Sequence, residues 1–157
     1  MNPTTGFDCY FLRNSGTYDT PTWVVMKEVS DVRTPDFTWG EAEVKTRASF
    51  WKAFLKTMLT LGIEVDHLYR ADPTNWEYLE SKFLLRNDVT DLWIADGPPA
   101  AEGTSGPRAH VSIFSRTGNQ ELESTNMTTF GMKPTYAVDE DGVRIEPTIF
   151  TPNPPDP

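Results

Sequence analysis

Polar and apolar residues alternate in two stretches of the chain, and each alternation predicts a strand with one polar and one apolar side. In the first stretch, residues 39–47, the polar positions are Glu41, Glu43 and Lys45, with Ala42 and Val44 between them. In the second, the apolar positions are Leu59, Leu61, Ile63 and Val65, separated by Thr60, Gly62, Glu64 and Asp66. Both stretches therefore fit a sheet with one solvent-exposed face and one packed face.

The segment between them, residues 48–58, fits two structures. Trp51, Phe54, Leu55 and Met58 have the i, i+3, i+4, i+7 spacing of an amphipathic helix. The same segment also alternates in the period of a strand, so an extended arm remains open. On spacing alone the helix is the better fit.

A clearer helix follows. Asp72 is a suitable N-cap, Pro73 suits the first helical position, and Trp76, Leu79 and Phe83 form one apolar stripe. Asn87-Asp88 is expected to end this helix. Further strands are predicted at residues 7–12, 23–29, 32–37 (interrupted by Pro35), 89–95, 108–115 and 122–132, with a turn at 116–119. The sum is a mainly β protein: a β-sandwich or barrel of about seven to nine strands with one flanking α-helix.

Composition supports a strand-and-loop protein, because 13 prolines and 10 glycines are too many for a helical bundle. The net charge of −9 argues against an ordinary nucleic-acid-binding module, which needs clustered cations. The length suits one domain, which we place at residues 1–136. Residues 137–157 form an acidic, proline-rich C-terminal arm, with five acids against one arginine (−5 + 1 = −4).

The expected compartment is a reducing cytoplasm. The single cysteine, Cys9, lies in an apolar run and is expected to be a buried thiol without a disulfide partner. Residues 1–5 lack the features of a signal peptide, and no stretch approaches the roughly 20 apolar residues of a membrane span. A soluble protein that does not insert into membranes is therefore expected.

No candidate for chemistry survives inspection of the sequence. The acid pairs Glu41/Glu43 and Glu64/Asp66 resemble those of glycosidases only superficially, because neighbours on one strand face are usually solvated. His67 has only His110 as a possible companion, and no CxxC, HExxH, GxSxG or phosphate-loop spacing occurs. We expect no catalytic residues, no metal and no cofactor, which favours a structural role.

An ordered series of short motifs resembles the major tail tube proteins of long-tailed bacteriophages over roughly residues 6–136. The motifs are Thr20-Pro21-Thr22-Trp23, Val29-Ser30-Asp31-Val32, residues 40–47 (GEAEVKTR), Glu64-Val65, Asp72 before the helix, residues 92–97 (LWIADG), a Gly/Pro loop and residues 130–135. Glu43 departs from the family, which often has Asp there. The segment after Arg47 is usually an extended arm in that family, and the resemblance therefore favours an arm over a helix at residues 48–58.

The resemblance implies a virion protein, assembled in the host cytoplasm, whose hexameric rings stack into a tube. Its partners would be itself and the tail terminator, tape measure and distal tail proteins, with DNA present only in transit. On this basis Glu41, Glu43, Glu64 and Asp66 are predicted to line the lumen. Arg47, Phe50, Trp51 and Phe54 are predicted to contact a neighbouring subunit. The 100–107 loop and the C-terminal arm are candidates for contacts between rings.

Two rival functions remain open at this point. The same fold would serve as the inner tube of a contractile tail, a secretion system or a gene-transfer particle. A monomeric β-sandwich that binds sugars or peptides through Trp23, Trp39 or Trp93 is the rival from another class. An enzyme comes third.

Overall fold

The computed structural model describes residues 9–44, 53–71, 73–86, 88–118 and 125–154, with all their side chains except those of residues 31 and 34–36. These residues form ten strands and one helix. The strands are β1 Tyr10–Asn14, β2 Trp23–Val25, β3 Val29–Val44, β4 Ala53–Leu68, β5 Thr90–Ala95, β6 Gly106–Gly118, β7 Met127–Pro134, β8 Ala137–Val138, β9 Arg144–Ile145 and β10 Thr148–Phe150; the helix is α1 Pro73–Leu84.

Eight of the strands form one antiparallel sheet in the order β2-β1-β5-β6-β7-β4-β3, with β10 paired to the start of β6. The strands β8 and β9 form a separate two-stranded sheet. The predicted class, mainly β with one flanking helix, is confirmed. Because β6 is 13 residues long, it pairs with β5 and β10 near its start and with β7 further along.

One face of the sheet carries the main hydrophobic core and is covered by the helix; we call it the helix face. Leu79 of α1 is fully buried in this core. Arg13 fastens the helix to β1, since its Nε donates to Asn75 Oδ1 at 2.9 Å and its guanidinium lies 4.3 Å from the Tyr78 ring centre. The buried sheet residues on this face are Phe11, Leu61, Ile63, Val65, Leu92, Ala109, Val111, Ile113, Phe130 and Met132.

The opposite face divides into two regions. Across β1, β5 and the start of β6, a smaller cluster of Leu12, Trp93 and Ala95 is covered by Trp23 and Phe150. The ring centres of Phe150 and Trp93 are 5.3 Å apart, so the C-terminal strand closes this side. Gly106 lets the start of β6 lie close to β5, because a Cβ at this position would be 1.8 Å from the carbonyl oxygen of Ile94. Across β7, β4 and β3 the same face is polar.

Several local expectations require correction. Cys9 is exposed, not buried. Pro35 does not interrupt its strand: β3 runs from Val29 to Val44 and absorbs the proline in an irregularity between Arg33 and Asp36. The turn expected at 116–119 is wrong for residues 116–118, which form the end of β6 and stay paired with β7 as far as Gly118.

The ambiguous segment is extended where the structure describes it. Residues 53–58 belong to β4, as the extended-arm alternative predicts, and the helix favoured by spacing is wrong for them. Residues 48–52 lie outside the described residues, as do Asp72, Asn87 and residues 119–124. The helix begins at Pro73 as predicted but ends at Leu84, before the expected Asn87-Asp88.

Candidate subunit interface

The long hairpin of β3 and β4 extends beyond the sheet. Its pairing runs from Val29–His67 to Val44–Ala53, but β4 pairs with β7 only from Ile63 to Leu68. Residues 53–62 of β4 therefore pair with β3 alone among the described residues. This part of the hairpin is a two-stranded ribbon roughly 30 Å long. Because an isolated two-stranded hairpin is at best marginally stable in water, this ribbon needs support from outside the described chain.

The ribbon is also unusually apolar for an exposed element. Six of its large hydrophobic side chains are between 40% and 78% exposed: Phe37, Trp39, Phe54, Leu55, Met58 and Leu59. Contiguous exposed apolar surface of this kind marks an interaction site in a soluble protein. Of the predicted contact residues, Phe54 lies on this ribbon, whereas Arg47, Phe50 and Trp51 lie outside the described residues.

The register divides the four predicted lumen acids into two pairs. Glu64 lies opposite Arg33, and Thr60, on the same side of β4, lies opposite Thr38. Since side chains alternate along β3, Glu41 and Glu43 are on the other side from Thr38, the side of Trp39. Trp39 is cross-strand from Leu59, which shares the helix face with buried Leu61. The two acid pairs therefore lie on opposite sides of the hairpin and do not form one surface.

Glu64 and Asp66 are joined by Arg33. Arg33 Nη1 donates to Glu64 Oε2 at 3.0 Å, and Nη2 donates to Asp66 Oδ2 at 2.9 Å. Thr129 Oγ1 on β7 donates to the other oxygen of Asp66 at 2.5 Å. The hydrogen bond and charge of Asp66, and then the charge of Glu64, raise the pKa of Arg33. Glu64 is exposed, but Asp66 is only 8% exposed and is held within this network.

The surface around this network is rich in hydroxyl groups. Cross-strand partners share a side of the sheet, so the register assigns a common set of residues to the outer side of β3, β4, β7 and the second half of β6. We call this surface the polar face; it comprises Arg33, Thr38, Thr60, Glu64, Asp66, Ser112, Ser115, Thr117, Thr129 and Lys133. It is the one broad polar surface of the sheet among the described residues.

A second ion pair is buried at the other end of the same side of the sheet. Arg108 and Asp91 are 4% and 7% exposed, and Arg108 Nη2 donates to Asp91 Oδ2 at 2.7 Å. The guanidinium also donates to the carbonyl of Tyr18 at 2.8 Å and lies 4.1 Å from the Tyr18 ring centre and 4.7 Å from that of Phe150. Asn14 Nδ2 donates to Asp91 Oδ2 at 2.9 Å. Arg108 thus ties β5, the β1–β2 loop and the C-terminal strand together.

His110 lies beside this pair and stacks on Tyr18, with ring centres 5.4 Å apart. Burial lowers the pKa of His110; the charge of Asp91 opposes the shift and that of Arg108 adds to it. A neutral imidazole at pH 7 leaves the carboxylate of Asp91 to Arg108.

Comparison with solved structures identifies the architecture. The chain superposes on the SPP1 tail tube with a TM-score of 0.67 and 13% identity, covering 96% of this chain and 81% of that one. It superposes on a subunit from the tail of an empty gene transfer agent particle, refined with C6 symmetry, with a TM-score of 0.66 and 13% identity (86% and 96% covered). For a chain of the PVC extracellular contractile injection system, in its sheath–tube complex, the TM-score is 0.64 at 8% identity (95% and 92% covered). The chain has the tail-tube fold.

Sequence comparison adds nothing to this result. No protein-family model matches the chain. No curated protein matches it either. At 8–13% identity the structural likeness shows the fold alone, so any role must come from the surfaces described above.

The tail-tube fold covers two of the three tryptophans that a binding module would have used. Trp93 is fully buried and half-buried Trp23 packs on it with ring centres 5.3 Å apart, so that Trp39 is the exposed one of the three. Among the described residues no group of three His, Cys, Asp or Glu side chains is arranged to hold a metal ion. Within the same residues, no helix has the length and apolar character needed to cross a membrane.

Sequence reasoning missed Arg33, Thr129, Arg108 and Asp91. A signal existed for one of them. Asp91 interrupts an apolar stretch, Val89 to Ala95, and a charge within a buried strand demands a partner. The partner itself is 17 residues away, and nothing in the spacing names it.

Proposed function

We propose that this protein is the ring-forming subunit of a tail tube, a structural protein without catalytic activity. Several copies, six by analogy with the C6 tail of the gene transfer agent, close into a ring, and rings stack into a hollow tube. The observation that carries this proposal is the apolar, unsupported β3–β4 hairpin on a tail-tube fold. A second copy packed on the hairpin would cover these exposed side chains.

The open borders of the sheet support ring closure. β3, 16 residues long, is an edge strand of the sheet among the described residues. β2 forms the opposite edge. Such edges invite pairing with another chain, and a cyclic arrangement of identical copies removes them. We propose that neighbouring subunits cover these edges, with the hairpin arm, including Arg47, Phe50, Trp51 and Phe54, packed on the next subunit.

The polar face is the best candidate for the lumen wall. It is broad and hydroxyl-rich, and it carries Glu64 and Asp66 of the four predicted lumen acids. It also carries one exposed aromatic side chain, Phe114, beside Arg33, Glu64 and Lys133. DNA would slide along a wall without clustered free cations, because phosphates adhere through such cations. Glu41 and Glu43, on the other side of the hairpin, would reach the lumen only where the ribbon itself borders it; their assignment stays a prediction.

The rest of the role follows from the tail-tube proposal. Such a protein resides in the virion tail after assembly in the host cytoplasm. It meets the tail terminator, tape measure and distal tail proteins at the tube ends and interior, and DNA only in transit. The 100–107 loop and the acidic C-terminal arm are the proposed contacts between stacked rings.

Assembly of the purified protein tests the proposal directly. We expect sedimentation to show hexamers or longer polymers at high concentration, and negative-stain microscopy to show hollow tubes. The physical reason is that covering the exposed apolar ribbon removes hydrophobic surface from water. A protein that remains monomeric at all concentrations would contradict the proposal and favour the binding-module alternative.

Thiol accessibility tests which surface lines the lumen. In a Cys9→Ser background, Thr117→Cys places one thiol on the polar face, and Leu85→Cys places one just beyond α1. We expect a small maleimide to label both variants, but a maleimide attached to a globular protein to label only Leu85→Cys once tubes have formed. Equal labelling of both thiols in intact tubes by the bulky reagent would put the polar face outside.

The inner tube of a contractile particle is the second candidate function. It is favoured by the match to the sheath–tube complex, whose TM-score of 0.64 is close to the 0.67 of the SPP1 tail tube. The proposed tube surface would then bind a sheath. Particles containing this protein, viewed by electron microscopy with or without a sheath, decide between the two.

A further inference from the structure

We propose that Arg33 lowers the negative charge of the lumen wall: it pairs with both Glu64 and Asp66 and is itself kept from DNA by them. This inference rests on the proposed function and deepens it. The polar face would then be a wall of hydroxyl groups and closed ion pairs rather than a uniformly acidic surface.

The contacts show that the three charges form one unit. Arg33 donates from separate nitrogens to Glu64 and Asp66, at 3.0 and 2.9 Å. The two acids are two residues apart on β4, so their backbone positions are separated by only about 7 Å. That is within the screening length of about 8 Å at physiological salt, and the carboxylates therefore repel each other unless a cation lies between them. Arg33 lies between them.

The arrangement also limits what Arg33 can do. A guanidinium binds phosphate through its paired N–H donors, and both terminal nitrogens of Arg33 already donate to carboxylates. Thr129 fixes the second oxygen of Asp66, which holds that carboxylate in place for Arg33. Two of the five N–H donors of Arg33 are thus occupied, and an incoming phosphate would be repelled by the two carboxylates beside the guanidinium. The network therefore protects a passing polyanion from being gripped by a ring of arginines.

Glu64 and Asp66 contribute −2 and Arg33 contributes +1, so the unit carries a net charge of −1 (−2 + 1). A ring repeats each charge at every subunit, so losing Arg33 would leave a circle of uncompensated acid pairs at one level of the tube. Mutual repulsion would then oppose ring closure in low salt, where screening is weak.

The experiment measures the critical concentration for tube assembly as a function of salt in four variants. Arg33→Gln removes the charge, Arg33→Lys keeps it, and Arg33→Gln with Glu64→Gln restores the original net charge. The matched control, Arg86→Gln, removes one exposed arginine just beyond α1, away from every proposed contact. A thermal melt of each unassembled subunit shows whether the fold is retained.

At about 20 mM salt we expect Arg33→Gln to raise the critical concentration roughly tenfold, and at about 0.5 M salt to match wild type within about twofold. Arg33→Lys and the double variant should stay within about twofold of wild type at both salts, as should Arg86→Gln. The melts should show that the fold is retained, because Asp66 keeps its hydrogen bond from Thr129 in all four variants.

A second measurement addresses the grip on DNA. Tubes of Glu64→Gln with Asp66→Asn expose Arg33, and we expect them to retain short single-stranded DNA that wild-type tubes release at the same salt. Adding Arg33→Gln to this variant should abolish the retention.

The inference is overturned if Arg33→Gln tubes assemble like wild type at low salt, or if the charge-restoring double variant is no better than Arg33→Gln. It is equally overturned if tubes of the Glu64→Gln, Asp66→Asn variant retain no DNA. Each of these results leaves the proposed function intact, since wild-type tubes have formed; absence of wild-type tubes would instead remove the proposed function.

Discussion

Replacing Phe54 and Leu55 by serine is expected to abolish tube assembly while leaving the subunit folded. The two side chains are 58% and 59% exposed on the unsupported ribbon, and as neighbours on β4 they point to opposite sides of it. Both sides of the hairpin would lose an apolar anchor. If each anchor contributes about 2 kcal/mol at the interface, as buried aromatic and aliphatic hot spots do, the critical concentration should rise about a thousandfold.

The matched control removes the same amount of exposed apolar surface elsewhere. Leu84 and Leu85, at the end of α1, are 71% and 57% exposed and lie on the far side of the sheet from the polar face. Their double serine variant should assemble normally. Sedimentation and circular dichroism of both variants give the readout. Normal tubes from the Phe54/Leu55 variant would show that the hairpin is not the interface.

Arg108→Ala is expected to lower the folding stability of the subunit strongly. Removing the guanidinium leaves the carboxylate of Asp91 buried with only Asn14 as a donor among the contacts described above. Breaking a buried ion pair by removing one partner typically costs 3–5 kcal/mol. The variant also loses the stacking of the guanidinium on Tyr18 and Phe150, so the C-terminal strand loses its anchor.

Chemical denaturation of the unassembled subunit measures this loss. We expect an unchanged slope and a free energy of unfolding lower by about 3–5 kcal/mol. Arg144→Ala, which removes an arginine from a pair whose partners are 65% and 70% exposed, should change it by less than about 1 kcal/mol. Equal effects in the two variants would mean that Arg108 does not stabilise the fold through the buried pair.

Local rules predicted the elements whose causes are local. The helix begins at Pro73 because a proline at that position loses no hydrogen bond, and its Trp76 and Leu79 are buried as the stripe predicted. The alternation from Leu59 to Val65 gave the right strand, because Leu61, Ile63 and Val65 are buried while Thr60 and Glu64 are exposed. The resemblance to tail tube proteins gave the right fold.

Local rules failed where tertiary pairing overrides them. Residues 116–118 have a turn composition, yet pairing with β7 keeps them extended. Residues 53–58 have helical spacing, yet pairing with β3 makes them a strand. Cys9 has apolar neighbours but lies just before the first residue of β1, where the sheet does not cover it.

The sequence by itself determined the mainly β class, the single helix, the polar and apolar sides of each strand and the acidic charge, since each depends on composition or on neighbours a few residues apart. The tertiary structure alone decided which charges meet. Arg33 and Glu64 are 31 residues apart, and Arg108 and Asp91 are brought together by strand pairing. Alternation in the sequence shows on which side of its own strand a residue lies. It does not show the register in which that strand pairs with a neighbouring strand. Because shifts within the β3–β4 pairing set that register, only the folded hairpin separates Glu41 and Glu43 from Glu64 and Asp66.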